Sequence, residues 1–250
     1  MPGPVQSIER AAAILRLLAR GSGRLGVGEI AGSLGLARGT AHGILRTLQR
    51  VGFVEQDAAT GKYQLGAALL HLGTSYLDVN ELRSRAINWA DALAARSGEA
   101  VRIGTPLDGQ VLVVHHVFRP DDTLQTLDVG TLMPLHATAL GKVLLAYDAG
   151  AVAELIPFSR RTITSPRALA RALAEVRETG WAAEVEEFTV GEAGLAAPIR
   201  GYGGLVVGAM GVSGAVERLC DAQGRPRSQL MTYVRDAARA VSRDLGASRW

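Results

Sequence analysis

Arg38, Arg46 and Arg50 stand in a stretch that holds no aspartate or glutamate from Ile30 through Val54. Solvated helix faces ordinarily mix signs, so arginines without acids in their own sequence call for an anionic partner. The same stretch carries Gly39, Thr40, His42 and Gly43. Small residues let a backbone approach a phosphate chain, and guanidinium groups can then reach guanine edges or phosphates in a major groove. Gly39 and Gly43 each cost a helix about 0.8–1 kcal/mol relative to alanine, a penalty that close approach to a partner explains. Arg38, Gly39, Thr40, His42 and Arg46 are therefore the candidate contacts to double-stranded DNA. Lys62 and Tyr63 stand where a wing could touch the flanking backbone, and Arg24 is a further phosphate candidate.

Other residue types point to less chemistry. Cys220 is the only cysteine, which excludes an internal disulfide and a cysteine-based zinc cluster. His115 and His116 are vicinal, and neighbours on a strand point to opposite faces, which argues against a shared metal. The chain has no nucleophile elbow, phosphate-cradling glycine loop or metal-ligand spacing. "GYGG" and "GEAG" read as turns. No enzymatic activity, cofactor or metal is expected.

The elements that must position the arginines read as a helix-turn-helix. Ile8, Ala12, Leu15 and Leu18 keep helical spacing over residues 5–20, with Ser7 as the expected N-cap. Val27, Ile30, Ala31 and Leu34 mark a short second helix, and Gly35 a turn. A third helix over Ala37–Arg50 places Ala41, Ile44, Leu45 and Leu48 on its apolar side. Phe53–Gln56 and Lys62–Leu65 form a hairpin or wing whose connection ends in Gly61. Residues 66–80 read as a connecting helix. Beyond it a helix over Glu81–Ser97 precedes strands near Ala100–Thr105, Gln110–Val117 and Leu124–Leu127. Helices over Thr138–Tyr147 and Arg167–Thr179 follow, then strands near Trp181–Glu186, Leu195–Arg200 and Leu205–Val212, and a closing helix over Arg227–Leu245. Short glycine turns between consecutive strands predict an α+β domain with a mainly antiparallel sheet.

The 250 residues carry a net charge of +3, with 48% hydrophobic and 20% charged residues, as expected of a globular chain with sizeable cores. Residues 1–78 hold eight basic and five acidic side chains, and the remainder 19 of each. All the excess positive charge therefore lies in the N-terminal third, which suits an anionic polymer there and another task elsewhere. No run of about 18 apolar residues is present, and Glu9 and Arg10 interrupt what a signal peptide would need. The expectation is a cytoplasmic protein with no membrane partner.

The runs "SIERAAAILRLLA", "EIAGSLGLARGTAHGILRTLQRVGFVEQDAATGKYQLG", "PLHATALGKVLLA", "GLAAPI" and "MGVSGAVERL", in that order and spacing, resemble the IclR family of bacterial transcriptional regulators over essentially the full length. The resemblance implies a winged helix-turn-helix over residues 1–66, a linker helix over 67–80 and a GAF-like effector-binding domain over 81–250. It also implies a homodimer or dimer of dimers. Effector contacts carry over to Ala139, Leu140, Glu184, Gly194, Gly211 and Ser213. Gly194 stands where many members have cysteine, Gly211 where many have serine, and Glu184 where aspartate is common. The pocket has thus lost polar side chains but keeps an acid. "LARGTAHGILRTLQ" and "VVHHVFRPDD" are similar to those members that govern glycerol catabolism. That likeness implies repression of a catabolic operon, with glycerol or glycerol 3-phosphate as effector; a different small organic acid or an aromatic metabolite is the alternative. A phosphorylated effector needs donors, for which Arg102, His115, His116 and Lys142 are the candidates. Glu186 and Glu187 read as solvating a strand end.

Overall fold

The computed structural model describes residues 3–20, 23–121, 123–147 and 154–247. The chain divides into two compact units, residues 1–79 and 80–250.

In the first unit, helices α1 (Gln6–Leu18), α2 (Val27–Ser33) and α3 (Arg38–Arg50) precede strands β1 (Val54–Gln56) and β2 (Tyr63–Leu65) and helix α4 (Ala68–Val79). One core joins Ile14 and Leu18 of α1, Ile30 of α2, Leu45 and Leu48 of α3, Val54 and Tyr63. Helix α1 begins on Val5, so Ser7 lies inside it and caps nothing. The buried stripe runs through Ile14 and Leu18, and Ile8, expected inside, is 66% exposed. The joint between α2 and α3 turns at Gly35, whose φ of +61° suits glycine. Strands β1 and β2 pair antiparallel, and Leu25 bridges to Tyr63 as a third rung.

In the second unit, α5 (Glu81–Ser97) leads into β3 (Ala100–Leu107), β4 (Gln110–Val117) and β5 (Leu132–Pro134). Then come α6 (Ala139–Tyr147), α7 (Pro166–Thr179), β6 (Ala182–Val185), β7 (Glu192–Arg200), β8 (Val206–Ala215), α8 (Val216–Leu219) and α9 (Ser228–Asp244). The six strands form one sheet in the order β5-β4-β3-β8-β7-β6. Every pairing in it is antiparallel. Helices α5 and α9 pack together against the sheet, and α6 and α7 form a second helical pair, with α6 lying on β6, β7 and β8. Asparagine caps α5 and serine caps α7, each accepting from a first-turn amide, and both helices end on a left-handed glycine.

The strand expected at Leu124–Leu127 is absent. The third rung of that half of the sheet comes later, at Leu132–Pro134. Residues 118–121 and 123–131 instead form a loop tied by side chains: Asp121 accepts from Thr123, and Gln125 donates to the Arg119 carbonyl. Leu124 is fully exposed. Alternation alone could not distinguish this apolar-studded loop from a strand. A Cβ on Gly141 would collide with the backbone of Leu135, so glycine is what lets α6 lie this close to the segment after β5.

Candidate functional site

In the first unit, burial of Ala41, Leu45 and Leu48 turns the opposite face of α3 outward. Arg38, Gly39, His42, Gly43, Arg46 and Arg50 are exposed, and Thr40 is half-buried. Among the described residues no carboxylate pairs with Arg38, Arg46 or Arg50. Neither Gly39 nor Gly43 has a positive φ, and a Cβ at either would meet nothing within 4 Å. The chain's own packing does not require glycine at these positions. Without side chains they leave this face of α3 smooth.

The wing differs from expectation. Tyr63 is 2% exposed and belongs to the core, so it is not a surface contact. Its predicted exposure placed it on the wrong face of β2, where the bridge to Leu25 turns the ring inward. Lys62 is exposed and lies 3.9 Å from Glu29, whose carboxylate accepts from the Gly26 amide at the start of α2. Arg24 is 3.8 Å from Asp57.

In the second unit, directly paired residues project to the same face of a sheet. One row across the strands reads Glu184, Gly194, Ser213, Ala100, and the adjacent row Ala182, Ala196, Gly211, Arg102, His116. Glycine and alanine fill Gly194, Ala196 and Gly211 in the middle of the rows, with Glu184 on one side and Ser213, Arg102 and His116 on the other. Adjacent strands lie about 4.8 Å apart, so Glu184 and Ser213 flank a gap of roughly 10 Å floored by Gly194. Over this floor sits a cavity of about 270 Å³. All six residues named from the family resemblance, Ala139, Leu140, Glu184, Gly194, Gly211 and Ser213, line it. Ala139 and Leu140 reach its wall through the first turn of α6.

The two glycines differ in kind. A Cβ on Gly194 would make ordinary contacts, 3.4 Å from Glu184 Oε1 and 3.6 Å from Ala139 Cβ, so a side chain fits there and would enter the cavity. A Cβ on Gly211 would strike the Leu195 carbonyl oxygen, so this strand crossing admits no side chain.

Electrostatics divide the wall. Arg102 donates from Nε to Asp128 Oδ2 at 2.6 Å and from Nη1 to Ser213 Oγ. The buried His116 accepts the Asp128 amide on Nδ1 at 3.1 Å, which leaves its proton on Nε2. Burial first, and then the Arg102 guanidinium, holds the His116 pKa below the ordinary histidine value. At the other end burial pushes the Glu184 carboxyl up to about 7, with neighbouring Glu187 adding and the Glu187 amide, 3.1 Å from Oε2, opposing.

Lys142 does not line the cavity. It is buried and donates to Glu187 Oε1 at 2.5 Å. Glu187 therefore solvates no strand end; it is buried, and burial raises its pKa against the pull of Lys142. Glu186 takes a positive φ of 57° and pairs with Arg161 at 3.2 Å. His115 turns to the opposite face of β4, where Arg83 and Asp91 of α5 influence it. The buried Cys220 stands apart from the cavity. Sequence reasoning missed Asp128, Thr131, Met133 and Phe188 in the wall. Asp128 and Thr131 lie in the irregular loop before β5, where no periodicity marks an inward-facing residue.

Comparison with known proteins adds identity to this geometry. The family model described as "IclR helix-turn-helix domain" matches residues 7–58, and "Bacterial transcriptional regulator IclR C-terminal" matches residues 74–243. The chain is 58% identical over 251 residues to a glycerol operon regulatory protein of Streptomyces coelicolor, covering 98% of each chain. A protein of the same name from Streptomyces griseus is 56% identical, again over 98% of both. The crystal structure of a transcriptional regulator from Alicyclobacillus acidocaldarius superposes with a TM-score of 0.83 at 27% identity, covering 96% of this chain and 99% of that one. Families and relatives alike are transcription regulators rather than enzymes, with a DNA-binding first unit and an effector-binding second. The chain belongs to the IclR family of bacterial transcriptional regulators.

Proposed function

We propose that this regulator represses an operon for glycerol catabolism and changes its grip on the operator when glycerol or glycerol 3-phosphate fills the cavity over β7 and β8. The cavity carries the reading: it is small, floored by glycine, and has hydrogen-bonding groups at both ends of a roughly 10 Å gap. The names of the Streptomyces relatives supply the operon. In the cytoplasm Arg38, Gly39, Thr40, His42 and Arg46 meet the major groove of double-stranded operator DNA, and Lys62 meets the flanking backbone. Two chains act together through α4, whose Leu70, Leu72 and Tyr76 stand exposed. The effector must bind the two operator-affinity states unequally to shift them.

The test is a gel shift with promoter fragments of the glycerol genes, at fixed salt because phosphate contacts make affinity salt-dependent. Specific retardation that either ligand relieves about tenfold or more supports the proposal. Unchanged retardation with both ligands, or none at all, rejects it.

A further inference from the structure

We infer that the cavity accepts an uncharged polyol and rejects its phosphate ester, so that glycerol itself is the effector. This inference rests on the glycerol reading above and narrows it. Among the described residues lining the cavity, Arg102 is the only cation, against the three carboxyls of Asp128, Glu184 and Glu192. Arg102 is also already charge-paired. Both Nε and Nη2 lie 2.6 Å from Asp128 Oδ2, and Nη1 donates to Ser213, so three of its five N–H donors are committed and its charge is matched by Asp128.

The other cations nearby are paired or face elsewhere: Arg119 and Arg218 line the adjoining cavity that shares Arg102, Asp128 and Ser213, and they pair with Asp121 and Glu99. Lys142 is locked on Glu187 inside the core. His116 is held in its neutral form and stands behind Asp128, and His115 lies across the sheet. The amino end of α6 contributes about half a positive charge, too little to offset the carboxylates of Asp128 and Glu192, beside a Glu184 carboxyl that burial keeps partly protonated near neutral pH. A dianionic phosphate would enter this wall against like charge, at low dielectric, with the one cation of the wall already neutralised by Asp128.

A polyol meets the opposite situation. Ser213 Oγ accepts from Arg102, so its own proton is free to donate to a ligand hydroxyl. Glu184 Oε1 looks over Gly194 into the gap, able to accept from a hydroxyl at the far end. The apolar sides, Leu132, Met133, Leu140 and Phe188, suit the carbon chain between them. The carboxyl groups that disfavour an anion are the groups that accept hydrogen bonds from hydroxyls.

Isothermal titration of the full-length protein with glycerol, glycerol 3-phosphate and inorganic phosphate tests this. Wild type should bind glycerol at least about tenfold more tightly than glycerol 3-phosphate, and inorganic phosphate should give no heat. Asp128→Asn, which removes the charge that neutralises Arg102 but keeps the shape, should narrow or reverse that ratio. Glycerol 3-phosphate binding wild type as tightly as glycerol, or more so, overturns the inference and leaves the glycerol reading standing. Silence from both glycerol compounds, in protein that still retards its operator, overturns the glycerol reading together with the inference. Should Asp128→Asn fold poorly, Glu192→Gln at the exposed rim gives the same direction of change; a ratio unmoved in both variants counts against the charge argument.

Discussion

Arg46 and Tyr63 are both polar-tipped residues of the first unit, and their substitutions should fail in different ways. Arg46 is exposed, and no carboxylate among the described residues pairs with it, so Arg46→Ala removes only what it offers a partner. If it reads a base, operator binding should weaken by about 1–3 kcal/mol with the melting temperature unchanged. Tyr63→Ala instead empties a core position and should cost about 3 kcal/mol of stability or more, loosening the wing before any DNA is present. Thermal melts beside gel shifts separate the two. An Arg46→Ala protein of wild-type operator affinity removes that residue from the interface. Glu184 makes a third prediction. Its folded pKa of about 7 lies above the ordinary 4.5, so the folded chain holds a proton that the unfolded chain has released. Stability should therefore fall as pH rises from about 4.5 to 7, by up to about 3 kcal/mol, and the loss persists above that window. Glu184→Gln cannot lose a proton and should flatten this slope in urea titrations between pH 5 and 8. A slope identical to wild type would show that Lys142 and Glu187 absorb the charge instead.

At the scale of elements, the floor of the cavity makes a prediction that no single contact does. Strands β6, β7 and β8 place Glu184, Gly194 and Ser213 in one row, and only the middle residue has room above it. Gly194→Leu should fill the cavity, abolish the calorimetric signal of the effector and leave operator binding intact but unresponsive. Loss of operator binding as well would mean that the sheet, not the cavity, had been damaged. The α3 face was legible in the sequence because helical periodicity sorts Ala41, Leu45 and Leu48 from Arg38, His42 and Arg46. The helices of the second unit were legible for the same reason, and two of them end on left-handed glycines, Gly98 and Gly180. The cavity residues were readable only through family resemblance: the register that aligns Glu184 with Gly194 and Ser213 is a long-range property, and no local pattern encodes it. The Arg102–Asp128 pair was hidden by a 26-residue separation and by a loop whose apolar residues resembled a strand. Tyr63 was misplaced because an amphipathic ring beside a lysine fits a wing tip as well as a core, and its bridge to Leu25 joins residues far apart in sequence.

At the scale of the whole molecule, α4 leaves Leu70, Leu72 and Tyr76 at 72%, 51% and 49% exposure. Half-buried Leu69 with exposed Leu72 and Tyr76 follows i, i+3, i+7 spacing, which gathers apolar surface along one side of a helix, and exposed Leu70 lies beside it. Such a stripe on a helix joined to a DNA-binding unit is well placed to meet its own copy, because a two-fold pair self-complements with a single surface. Pairing would also turn one short arginine face into two. A bivalent protein gains about 10²–10⁴ in overall affinity over one arm, without any new contact to DNA. Leu72→Glu with Tyr76→Glu should therefore convert dimers into monomers in sedimentation velocity. The same double variant should lower operator affinity by at least about a hundredfold while leaving the fold of each unit unchanged by circular dichroism. Hydroxyl-radical footprints of wild type should show two protected patches about 34 Å apart or a multiple of that, and the variant neither patch at the same concentration. A monomeric variant that still protects both patches would separate DNA recognition from pairing, and a wild type already monomeric on its operator would remove α4 from the mechanism.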